Sequence, residues 1–243
     1  MENSIYIGLS RQAALRRQMS QVANNIANMN TTGFKRELMI YQAYETKVPF
    51  VQSNDFVIDR GSAIDHSPGP MRMTGNTFDL AIDGPGYFQI DDGTGTFYTR
   101  NGTFALDENN QIVTNQGHLV LDAAGQPIFV PRSDEKIVIE TDGSVRLGDE
   151  VYGRLAVVEF DRMVELRKVR DSLFETDEIP RPAENSEVQQ GLVESSNVNP
   201  ILELTNMIEV SRAYDRVKNM ISSESDRTKQ AIERLARPVQ GGA

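Results

Sequence analysis

Apolar residues recur at alternating spacings of three and four along the first thirty positions: Ile5, Gly8, Gln12, Leu15, Met19, Val22, Ile26 and Met29. Six of these eight are apolar, which is the seam of a helix that lies along another helix. Asn3 or Ser4 can cap its start and Gly33 can stop it. Such a helix is roughly 40 Å long at ~1.5 Å per residue. The other end of the chain repeats the pattern more cleanly, with Met207, Val210, Tyr214, Val217 and Ile221 unbroken at the same spacing. Asn199 followed by Pro200 forms an N-cap and first-turn pair, because proline at the first helical position forfeits no hydrogen bond. Pro238 and Gly241-Gly242 end the pattern, for a helix of roughly 50 Å. Past Ile221 the seam dilutes, with Glu224 and Thr228 at seam positions.

Between the ends the period changes from helical to alternating. Short β-branched or alternating runs occupy 78–82, 87–90, 97–100, 103–106, 111–114, 118–121, 128–130, 136–140, 145–147 and 155–160. Asp83-Gly84, Asn101-Gly102 and Asp142-Gly143 offer the positive φ of tight hairpins, and Gly117 and Gly125 close two more. Turns about every ten residues predict an antiparallel sandwich or distorted barrel. Residues 37–75 show neither period and contain Pro49, Pro68 and Pro70, so they predict an extended connector. The predicted fold class is α+β. Long N- and C-terminal α-helices (1–36 and 191–243) form a coiled-coil-like assembly domain, joined by the connector (37–75) to a central antiparallel β domain (76–190).

Two long seams with no evident partner in one chain pose a physical difficulty, since isolated amphipathic helices are marginal in water. The pattern therefore predicts that both terminal segments fray in a monomer and pack only against other copies or other chains. On that reading Val217→Asp spares the monomer and blocks assembly. The β domain, with its own turns and alternation, is expected to fold alone as a 70–195 fragment.

Composition narrows the function. At 39% hydrophobic and 25% charged residues the chain is an ordinary globular one, and with no cysteine it has neither disulfides nor thiolate chemistry. No run of about 18 apolar residues occurs, so no membrane span is expected. Arg11, Arg16 and Arg17 interrupt the N-terminus, which argues against a cleaved signal peptide. They also flank an apolar stripe, but the Asn-rich end and lack of large aromatics speak against a membrane-surface helix. Residues 1–36 hold five bases against one acid and residues 200–243 seven against six, so the net charge of −10 is concentrated in the middle. An acidic outer domain with less charged ends suits subunits that repel sideways and adhere at their termini, and it excludes nucleic acid as a partner.

Catalytic chemistry finds no constellation. His66 and His118 are the two histidines, with no third group placed by spacing. Asp91-Asp92-Gly93 and the acidic stretch 107–110 lack the 12-residue calcium-loop spacing with a terminal glutamate, so hairpin turns are expected there. Asp83-Gly84-Pro85-Gly86 precedes a strand, not a helix, and is no phosphate cradle. No enzymatic activity, cofactor, metal or small-molecule substrate is expected. A β-domain binding module such as an adhesin is the rival class, and it would not need two adhesive termini.

Three segments carry a family resemblance. Ala23-Asn24-Asn25-Ile26-Ala27-Asn28-Met29-Asn30-Thr31-Thr32-Gly33-Phe34-Lys35-Arg36 resembles the N-terminal signature of bacterial flagellar rod and hook proteins. An ordinary helix end explains Thr31 to Gly33 but not Asn24, Asn25 and Asn28, whose carboxamides can bond a neighbouring helix or cap an end. Gly191-Leu192-Val193-Glu194-Ser195-Ser196-Asn197-Val198-Asn199-Pro200, with Glu203-Leu204, Met207-Ile208 and Arg212-Ala213-Tyr214, resembles the closing segment of that family. The middle runs 79–88 and 99–104 are similar to it as well. Total length separates the chain from the longer hook subunits and from short rod members without a β domain. Ile5-Tyr6, Ser10-Arg11-Gln12 and the compact connector favour the proximal-rod over the distal-rod branch.

The resemblance implies a structural subunit that stacks in the periplasm into a drive shaft transmitting torque. Its partners would be adjacent rod proteins, possibly its own copies, and the flagellar type III export apparatus, which exports without signal cleavage. The expected assembly interface comprises Leu15, Met19, Val22, Asn24, Asn25, Ile26 and Asn28 at one end. At the other it comprises Met207, Val210, Tyr214, Val217 and Ile221.

Overall fold

A computed structural model describes residues 2–46, 54–133, 135–162, 165–170 and 172–236. The chain divides into two compact units, one drawn from Met1–Ala27, Glu37–Ala63 and Asn199–Ala243, the other from Asn28–Arg36 and Ile64–Val198. This division cuts across the segments drawn from sequence. Residues 28–36 join the β unit, and most of the expected connector joins the helices.

In the helical unit, α1 (Glu2–Ala27) and α2 (Pro200–Ala236) pack on each other. Ala14, Val22, Val210 and Val217 are buried, so the seams expected to lack a partner within one chain cover each other. Gly8 permits a close approach: a Cβ there would lie 2.9 Å from Ile221 Cγ1. The α2 start follows expectation, with Asn199 Oδ1 accepting from the Ile201 N–H at 3.1 Å and the Leu202 N–H at 3.3 Å. The α1 end does not. The helix stops at Ala27, six residues before Gly33, because the next residues make their own turn. There the Thr31 N–H donates to the Asn28 carbonyl at 3.1 Å and the Thr31 hydroxyl to Asn28 Oδ1 at 3.1 Å.

The stretch read as an aperiodic connector contains two long strands, β1 (Glu37–Thr46) and β2 (Asn54–Ile64), paired with each other. A two-stranded ribbon is marginal by itself, and α1 anchors this one. Asn25 Nδ2 donates to the Glu37 carbonyl at 3.0 Å, while Asn25 Oδ1 accepts from the Glu37 N–H at 3.1 Å. One buried carboxamide thus satisfies both backbone groups of the first strand residue. Pro49 lies outside the described residues.

The β unit carries β3 (Met71–Met73) through β18 (Leu192–Glu194), and every strand pairing within it is antiparallel. Its largest sheet runs in the order β14 (Arg167–Arg170), β15 (Leu173–Glu175), β6 (Thr96–Thr99), β5 (Tyr87–Asp91), β9 (Leu119–Val120), β8 (Ile112–Thr114) and β7 (Phe104–Leu106). Two further strands, β13 (Val157–Glu159) and β16 (Arg181–Pro182), attach beside β5. Late strands close the smaller sheets: β17 (Glu187–Gln190) pairs with β4 (Leu80–Asp83), and β18 with β3. Segment 128–130, expected as a strand, contributes one isolated bridge instead, Phe129 with Gln111.

Gly84 and Gly143 take the positive φ expected of them, but Gly102 does not. Its lack of a side chain serves a close approach, since a Cβ would sit 1.8 Å from the Leu80 carbonyl oxygen.

Leu80, Ile82, Phe88, Ile90, Ile112, Val120 and Val145 make up much of one apolar core. A second, aromatic cluster gathers Tyr87, Tyr98, Phe160 and Phe174, with Tyr98 and Phe160 edge-to-face at 4.8 Å. Burial pushes the Tyr87 phenol up to about 12 from 10.0, against a smaller opposing pull from Arg100. Its folded value exceeds the unfolded one. The contribution is therefore complete below pH 10 and is lost as pH rises toward about 12. Tyrosinate absorbance should show a late step from Tyr87, together with unfolding. Tyr87→Phe should abolish that late step. A late step surviving in the variant would assign it elsewhere.

Candidate assembly interface

Most of the side chains expected to bind other subunits are already used inside the chain. On α1, Val22 and Asn25 are buried, Leu15, Met19 and Ile26 are half-buried, and Asn24 alone of the set is exposed. Asn28 lies beyond the helix, in the β unit. On α2, Val210 and Val217 are buried, and Met207, Tyr214 and Ile221 are half-buried. The heptad seam therefore joins α1 to α2. Val217→Asp would therefore place its carboxylate at a position already buried in the single chain.

A different stripe remains uncovered. Ile201, Leu204 and Ile208 are 76%, 53% and 52% exposed. Spaced by three and four, they share a face. At 3.6 residues per turn that face lies about opposite the Glu203, Val210 and Val217 side that meets α1. Leu202 beside them is also exposed, as are Tyr6 and Leu9 on α1. The signal was present in the sequence: Ile201, Leu202, Leu204 and Ile208 are too many apolar residues for a single seam. At the same end, Glu203 is buried in the first turn of α2, where a carboxylate suits the helix dipole.

Next to α1, within the helical unit, Arg17, Ser20, Gln21, Asn24, Glu37, Met39, Gly61 and Ser62 line an open hollow of about 400 Å³. Gln21 Nε2 is buried there with no hydrogen-bond partner.

The acidic loops are turns. Asp91 Oδ1 accepts from the Gly93 N–H at 2.8 Å and Asp92 Oδ1 from the Thr94 N–H at 2.9 Å. Hydrogen bonds from Thr94 hold the Asp92 carboxyl below its usual range, with Arg170 adding to them. Asp107 Oδ1 accepts from the Asn109 and Gln111 N–H groups in the same way. Among the described residues no three His, Cys, Asp or Glu side chains converge as metal ligands would. His66 Nδ1 is 2.8 Å from the Tyr87 hydroxyl, and among the described residues no helix is long and apolar enough to cross a membrane.

Comparison with known proteins agrees with this layout. Residues 5–35 match the model of the flagella basal body rod protein family. Residues 81–147 match the D1 domain of the flagellar hook proteins FlgE/F/G, and residues 189–234 the C-terminal region of the rod FlgEFG proteins. The chain is 37% identical to the flagellar basal-body rod protein FlgF of Caulobacter vibrioides, over 98% of this chain and 99% of the relative. It is 34% identical to FlgF of Mesorhizobium japonicum, over 97% and 98%. Identity to the flagellar basal-body rod protein FlgG of Bacillus subtilis is 31%, over 98% and 100%.

Proposed function

The chain belongs to the flagellar basal-body rod protein family and is a structural subunit of that rod, and from this premise we propose that it enters the axis through the outward faces of its terminal helices. The observation that supports this reading is the exposed stripe Ile201, Leu204 and Ile208, left over after α1 and α2 have covered their common seam. Three large apolar side chains on one helical face gain about 1.5–3 kcal/mol each when buried. Repetition along a filament multiplies that gain. The partners are neighbouring rod subunits, including those the family names as FlgG, and the subunit belongs to the FlgF-type proximal branch. Its place is periplasmic, reached through the flagellar export apparatus without signal cleavage. Its work is mechanical, with no catalytic step.

Ile208→Asp tests the interface. In the monomer the side chain is solvated, so stability should stay within about 0.5 kcal/mol of the parent. In the axis it would bury a carboxylate at each contact, and basal bodies should lack the subunit, leaving cells non-motile. Normal swimming by Ile208→Asp cells would remove the stripe from the assembly mechanism.

A further inference from the structure

The β unit is fastened by charges that no part of the assembly argument uses. Lys35 Nζ lies 2.6 Å from Glu194 Oε1, and Arg100 Nη1 lies 3.3 Å from Glu194 Oε2. The three side chains are 0%, 1% and 4% exposed. Backbone groups add further partners, although Arg100 Nε is buried without one. Glu194 Oε1 also accepts from the Gly69 N–H at 2.8 Å, Lys35 Nζ donates to the Ser67 carbonyl at 2.8 Å, and Arg100 Nη2 donates to the Gly84 carbonyl at 2.7 Å. A second tie runs beside the first. Asn197 accepts from the Arg36 N–H at 2.7 Å and donates to the Asp65 carbonyl at 2.8 Å, and the Gly33 N–H donates to the Glu194 carbonyl at 2.7 Å.

Sequence order gives the cluster its meaning. Lys35 and Arg100 precede the one carboxylate that contacts them both, which lies 159 and 94 residues later, four positions before the unit ends. Until Glu194 arrives, completing the core means burying two cations with no counter-charge, at a cost of several kcal/mol per ion. Burial already pulls the Lys35 ammonium below the ordinary lysine range, with Glu194 drawing it back up. Closing so long a loop is also entropically slow. Strand pairing has the same order, since β18 closes on β3 and carries Glu194 opposite Met71.

We propose that the Lys35–Glu194–Arg100 cluster is a closing latch, withholding native packing of the β unit until residues 191–198 are in place. A chain that appears N-terminus first would stay open until nearly all of the unit had emerged.

Refolding of the full chain with pulsed hydrogen exchange tests this. In the parent protein, amides of β5 and β6 should gain protection in the same kinetic phase as those of β18. In a Lys35→Met, Arg100→Met, Glu194→Leu variant, which removes the charges together, β5 and β6 should gain protection at least tenfold sooner than β18. Glu194→Gln keeps an acceptor for Gly69 but raises the cluster's buried charge from one unit to two, and should fold at least tenfold more slowly. Early protection of β5 and β6 in the parent overturns the proposal. So does a triple variant whose strands still fold in one phase, or a Glu194→Gln protein that folds at the parental rate. Should the triple variant not fold, the parent and Glu194→Gln decide the matter.

Discussion

Glu194→Ala should lower the stability of the β unit by about 3–5 kcal/mol, because it strands two buried cations and does not simply delete a favourable pair. Lys35 and Arg100 have no route to water where they sit, their side chains being 0% and 4% exposed. With total stabilities of about 5–15 kcal/mol, that loss is a large fraction of the whole. In urea it would move the midpoint by roughly 2 M at a typical slope. The helical unit should be unaffected in its exchange behaviour. A loss below about 1 kcal/mol would mean that the cations find water or other partners, and the cluster would not be the fastening described. The same reasoning bears on the 70–195 fragment expected to fold alone. That fragment omits Phe34 and Lys35, both buried, and residues 196–198, while retaining Arg100 and Glu194. It should be markedly less stable than one spanning 28–198.

Val217→Asp should separate α1 from α2 in the monomer. Val217 is buried in the seam, and an unpaired carboxylate there costs several kcal/mol or is forced to protonate. Amide exchange at Leu15 and Val22 should accelerate by orders of magnitude, while the melt of the β unit stays in place. Glu224→Asp, half-buried past the apolar part of the seam, is the control and should behave as the parent. Unchanged protection of α1 in Val217→Asp would return the seam to the role first read from its spacing, a contact made only between subunits.

Legible in the residues alone were the two terminal helices, the antiparallel character of the middle, the α2 cap at Asn199-Pro200 and the family. These follow from local signals: a 3–4 period, alternation, turn glycines, and a motif of fixed residues. Of the strands after 161, β14 and β16 are mostly exposed and carry no alternation to read, while β15, β17 and β18 are only three or four residues long. The ribbon at 37–64 was missed for another reason. Its support is the carboxamide of Asn25, twelve residues away.

Tertiary structure alone decided the partners. An amphipathic spacing states that a face will be buried but not against what, and here the seam's partner was the other end of the same chain. That freed Ile201, Leu204 and Ile208 on the opposite face as the outward surface. Likewise the meeting of Lys35, Arg100 and Glu194 has no local signal, since nothing nearby in the sequence distinguishes a lysine bound for solvent from one bound for a carboxylate 159 positions on. Only the closure of β18 on β3 brings them together. Burial and pairing over that separation are properties of the folded chain, because they depend on which distant backbones approach and exclude water.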